Sequence, residues 1–140
     1  INTNTALNQC VATVNFAPLA SDNCVVVSDT QTAGPPSGSS FNVGTTSIAF
    51  NAVDNSGNAT PCNFDVTITD PQAPTVSCPS SQTLNNAAGA CEAPATFSVT
   101  SSDNCPGSFT TQLSGFGSGS NFPVGTTTNQ FRAEDASGNQ

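Results

Sequence analysis

Apolar and polar residues alternate most cleanly in Cys62-Asn63-Phe64-Asp65-Val66-Thr67-Ile68. Successive strand side chains point to opposite faces, so Cys62, Phe64, Val66 and Ile68 share one face and Asn63, Asp65 and Thr67 meet water. Ile48, Phe50 and Ala52 alternate in the same way just upstream. Ala12, Val14 and Phe16 form a third inward set, matched later by Ala93, Ala95 and Phe97. A weaker inward set, Asn129, Phe131 and Ala133, follows near the end of the chain. No stretch sustains the i, i+3, i+4, i+7 spacing of an amphipathic helix. Short β-branched and aromatic runs broken by Pro and Gly predict an all-β sandwich.

The turns carry their own signals. Asp54-Asn55-Ser56-Gly57-Asn58 sits between two strand patterns, and Asp135-Ala136-Ser137-Gly138-Asn139 has the same spacing. Asp and Asn tolerate turn conformations and Gly supplies positive φ, so both read as hairpin tips. Residues 33–38 and 115–119 read as loops. Residues 69–74 hold two prolines and read as a short, stiff linker.

The chain repeats itself. Cys10 recurs 81 positions on as Cys91, and Asp22-Asn23-Cys24 recurs at the same offset as Asp103-Asn104-Cys105. Phe41-Asn42-Val43-Gly44-Thr45-Thr46 recurs as Phe122-Pro123-Val124-Gly125-Thr126-Thr127. Two copies of one module are implied, residues 1–70 and 71–140. The ends fall out of phase. The first copy lacks the strand that opens the second, and the second lacks the strand of residues 59–70 that closes the first. Two readings stay open: a segment of a longer array, or a subunit that lends strands to its neighbours.

Composition narrows the function. The net charge is −8 and Arg132 is the only basic residue. Neutralising phosphates takes Lys and Arg, so nucleic acid is excluded as a partner and an anionic membrane surface is disfavoured. No apolar run is long enough to insert in a bilayer. There is no His, and no Ser or Thr lies in a nucleophile pattern, so no enzyme is expected. Six cysteines recur at repeat-locked positions without C-x-x-C spacing. Structural disulfides in an oxidising, extracellular setting are the natural reading.

Five blocks in order then carry a family resemblance. Cys78-Pro79, Asp103-Asn104-Cys105, Phe122-Pro123-Val124-Gly125-Thr126-Thr127, Asp135-Ala136-Ser137-Gly138-Asn139 and the closing Cys62-Asn63-Phe64 resemble the hyalin repeat, or HYR, domain. Asn42 departs from the usual Pro at its position. The resemblance implies tandem immunoglobulin-like β-sandwiches of extracellular, adhesion-associated proteins, with no catalytic activity. The four-cysteine form is similar to that of large bacterial cell-surface proteins. The resemblance also implies the pairs Cys10–Cys24 and Cys91–Cys105, each closing a loop of about fifteen residues worth roughly 3 kcal/mol. Cys62 and Cys78 are then paired outside this segment, or to each other across the linker.

The acids are the remaining candidates for chemistry. In an immunoglobulin-like sandwich, Asp103 and Asp135 are expected at the pole where the chain enters, beside Asp70 on the linker. Asp22 and Asp54 are the equivalent pair in the first copy. Such carboxylates suit Ca²⁺, which takes six to eight oxygens. The alternative is that each acid shapes its own turn. The function expected is a disulfide-stapled spacer in an adhesin or filament, touching neighbouring repeats. A glycan- or protein-binding module and a strand-exchanging subunit are the alternatives.

Overall fold

The computed structural model describes residues 1–23 and 25–140. They divide into two compact units, Ile1–Pro71 and Gln72–Gln140. The fold is all-β and immunoglobulin-like, and no helix long and apolar enough to cross a membrane occurs among the described residues.

Unit 1 contains β1 (Asn2–Asn4), β2 (Val11–Thr13), β3 (Val26–Ala33), β4 (Ser40–Asn42), β5 (Gly44–Asp54) and β6 (Ala59–Thr69). One sheet runs β1-β6-β5-β3, and β2 and β4 form a separate ribbon. The hairpin of β5 and β6 pairs without interruption from Gly44↔Ile68 to Val53↔Ala59, while β1 lies parallel to β6. This register puts Ile48, Phe50, Val66 and Ile68 on the face that meets Val14 and Phe41. Burial of each such apolar side chain contributes about 1.5–3 kcal/mol. The Phe16 ring lies edge-on to Phe41, Phe50 and Phe64 at centroid distances of 6.4, 6.1 and 5.2 Å.

Cys62 departs from its expected inward position and is exposed. β6 has 11 residues, whereas the ribbon strands β2 and β4 have 3 each. The covering layer gives out before Cys62, so alternation continues while burial does not.

Unit 2 contains β7 (Thr75–Ser77), β8 (Glu92–Pro94), β9 (Thr100–Ser102), β10 (Phe109–Ser114), β11 (Asn121–Pro123) and β12 (Gln130–Glu134). They pair antiparallel as β7–β9, β8–β11 and β10–β12. The ribbon β8–β11 reproduces β2–β4 residue for residue: Ala12↔Phe41 in one, Ala93↔Phe122 in the other. Loop bonds repeat as well. Gly38 N donates to the Val14 carbonyl at 2.9 Å and Gly119 N to the Ala95 carbonyl at 2.7 Å. Phe16 N and Phe97 N each donate to a serine hydroxyl, Ser37 and Ser118, at 2.8 Å.

The core of unit 2 is thinner. Its buried apolar residues are Ala95, Cys105 and Ala133. Ala95 stands where unit 1 has Val14, and Asn129 stands where it has Ile48.

Candidate functional site

The two Asp-x-Ser-Gly-Asn tips close on themselves. Asp54 Oδ1 accepts from Ser56 N and Asn58 N, both at 2.8 Å, and Oδ2 accepts from Asn58 Nδ2 at 2.7 Å. Asp135 repeats the set, with Ser137 N at 2.9 Å and Asn139 N and Nδ2 at 2.8 Å. The Asn58 side chain, then its backbone N–H, hold the Asp54 carboxyl below the ordinary aspartate range. Burial pushes the Asp135 carboxyl up, but the bonds from Asn139, Ser137 and Gly138 together outweigh it and the net shift is down. Hydrogen bonds to the charged form favour that form.

Identical motifs stand in different surroundings. Asp135 is only 4% exposed, while Asp54 is half-buried. Asn139 Nδ2 also donates to the Gln72 carbonyl at 3.2 Å, which ties the tip to the entering chain of unit 2. The Gly107 loop packs beside the same tip, and a Cβ there would sit 3.3 Å from the Ala136 side chain. Asp103 begins that loop. Its Oδ2 accepts from Cys105 N at 3.1 Å, and its Oδ1 is buried with no hydrogen-bond partner among the described residues. Asp103 and Asp135 thus stand at the entry pole of unit 2.

In unit 1, Asp22 and Asp54 line one cleft of about 600 Å³. Asp29 joins them there, a residue that no turn motif marks because it sits mid-strand in a polar run. Asp70 falls at the end of this unit, is 1% exposed, and accepts from the Thr5 hydroxyl at 3.4 Å.

The cysteines divide unevenly. Cys10 and Cys105 are each half of a disulfide. The expected Cys10–Cys24 bond has one end outside the described residues. The expected Cys91–Cys105 bond is not made, because Cys91 carries a free, exposed thiol. Cys91 lies at the solvent-facing entry to β8, where its carbonyl accepts from Val124 N at 3.0 Å, whereas Cys105 is buried in the loop after β9. Cys62 and Cys78 are also free and exposed, so the alternative Cys62–Cys78 bridge is not formed.

Unit 2 also holds a groove of about 460 Å³. Leu84, Phe97, Phe122, Val124 and Phe131 supply its apolar lining, with Cys78 at one side.

The sequence model of the HYR domain matches residues 1–68 and 69–140. Hyalin of Strongylocentrotus purpuratus is 41% identical over 119 residues, which covers 79% of this chain and 9% of hyalin. The chain therefore spans less than a tenth of that relative's length. No solved structure matches.

Proposed function

The chain belongs to the HYR domain family, and from that footing we propose that its units are structural repeats of an extracellular adhesin or filament. The observation that carries this reading is the duplicated frame. The same ribbon register and the same loop bonds recur in both units at one offset. The recurring residues close turns and pin loops. A module whose repeated positions serve its own shape is suited to reach and toughness more than to chemistry. Similarity to hyalin supports an adhesion-related, cell-surface setting, and the partners in this reading are neighbouring repeats.

Strands β5 and β6, of 11 residues each, are roughly 35 Å long at 3.3 Å per residue. Small-angle scattering on proteins with increasing numbers of modules tests the spacer role. The maximum dimension is expected to grow steadily with each module, and glycan arrays are expected to stay blank. A compact particle, or a glycan retained by one isolated module, overturns it.

In this proposal the acids are turn-formers, because Asp54 and Asp135 spend both carboxylate oxygens on their own hairpins. The melting temperature is then expected to be the same in Ca²⁺ and in chelator. A rise of several degrees with Ca²⁺ would move Asp103, which keeps one buried oxygen unpartnered, to the role of ion ligand.

A further inference from the structure

β6 ends at Thr69, and the chain passes at once to Asp70 and Pro71, the last residues of unit 1. Asp70 is the only aspartate in the sequence that a proline follows. β1 grips this corner. It lies parallel to β6 with Asn4 beside Thr69, and Thr5 N donates to the Thr69 carbonyl at 2.9 Å. The Thr5 hydroxyl donates to Asp70 Oδ1 at 3.4 Å. Thr5 and Asp70 are 8% and 1% exposed, whereas Pro71 is open to water.

Both partners of the Asp70–Pro71 peptide bond favour its rupture. The Pro71 nitrogen belongs to a tertiary amide with no N–H. Such a nitrogen takes up a proton more readily than a secondary amide nitrogen, so it is the better leaving group. The Asp70 carboxyl stands one methylene from the Asp70 Cα, and its attack on the residue's own main-chain carbonyl closes a five-membered ring. Burial strips water from that carboxyl and the Thr5 hydroxyl limits its rotation, so folding has already met part of the cost of ring closure. Asp54 and Asp135 differ on both counts. Each spends both oxygens on its own hairpin tip, and they are followed by Asn55 and Ala136.

We propose that the Asp70–Pro71 bond is a self-cleavage site that the folding of unit 1 activates. A carboxyl oxygen of Asp70 bonds to the Asp70 main-chain carbonyl carbon, the carboxyl proton passes to the Pro71 nitrogen, and the C–N bond breaks. Residues 1–70 then end in a cyclic anhydride, and Pro71 carries a secondary amine. One water molecule opens the anhydride and leaves two carboxyl groups on Asp70. The sum is hydrolysis of one amide by one water, with nothing oxidised or reduced. Because Pro71 is exposed, the amine departs into solvent and does not return to the anhydride. The main chain is severed where one module ends and the next begins. The proposal is independent of the spacer reading, and either can fail alone.

The test follows the whole chain at about pH 5, folded by circular dichroism, beside a sample unfolded in urea at the same pH. Reducing gels and intact mass report the fragments 1–70 and 71–140. The folded chain is expected to cleave about tenfold faster than the unfolded one. In heavy-oxygen water, part of the label is expected in the side-chain carboxyl of Asp70, because water opens the anhydride at either carbonyl. Direct hydrolysis by solvent labels the main-chain carboxyl alone. Pro71→Ala, at an exposed position that leaves the fold intact, should abolish cleavage. Thr5→Val should slow it several-fold, and Thr5→Ser should keep the rate. An intact folded chain, equal or faster cleavage of the unfolded chain, label confined to the main-chain carboxyl, or a Thr5→Val rate equal to that of the parent would each overturn the proposal.

Discussion

Asp54 and Asp135 show how one five-residue motif meets two environments. Both bind the same three N–H groups, but only Asp135 is withdrawn from water. A carboxylate whose folded pKa lies below its unfolded value stabilises the fold above the unfolded pKa. That stability is lost as pH falls through the folded value. Both aspartates are shifted down. Acid titration is therefore expected to leave stability flat at neutral pH and to erode it below about pH 4, near the unfolded aspartate value. Asp135→Asn keeps one acceptor oxygen but turns an amide toward Asn139 Nδ2. It should cost about 2 kcal/mol in urea unfolding, and Asp54→Asn should cost less because water reaches the vacated bonds. The thiols give a second residue-level test. Alkylation of the native protein followed by peptide mapping should label Cys62, Cys78 and Cys91 and spare Cys10 and Cys105. Protection of Cys91 would restore the bond expected in the second copy.

Among elements, the turn that follows β3 is closely constrained. Gln31 Nε2 donates to the carbonyls of Ala33, Gly34 and Pro35 at 2.8–3.1 Å, and Gln112 does the same work for Ser114 and Phe116. Gly34 lies at φ +85°, and a Cβ there would collide with the Ile48 side chain and come within 2.8 Å of the Ser47 carbonyl. Gly34→Ala therefore combines a left-handed backbone with a filled core position, at a cost of about 3 kcal/mol. Gly57, at φ +84° with open space around it, should lose only about 1 kcal/mol as Ala. Equal losses at the two sites would show that packing behind Gly34 matters less than the contacts imply. These turns were legible early, because Gly, Asp and Asn announce them within a few residues. The end of burial along β6 was not: alternation continues through Cys62, while the cover over it depends on the length of a distant ribbon.

Across the molecule the two units differ in how completely each buries its apolar face. Unit 1 closes over Ile48, Val66 and Ile68, at 0%, 0% and 2% exposure, whereas unit 2 buries mainly alanines. Calorimetry should resolve two transitions on the order of 10 °C apart, with unit 2 melting first. Val66→Ala should lower only the upper transition, and Val124→Asp should leave both in place. A single transition that both substitutions shift would mean that the units unfold together.

Much about this protein is written locally in its chain. Strand alternation, the tip motifs and the constant offset each involve residues that are close in sequence or repeated in register, so they survive without coordinates. Other features depend on groups that meet only after the chain has packed. Which of two matching aspartate tips is dry, and why Cys91 stays free while Cys105 is bonded, are both of this kind. Burial and thiol contact are set by the sum of remote neighbours, and no window of adjacent residues contains that sum.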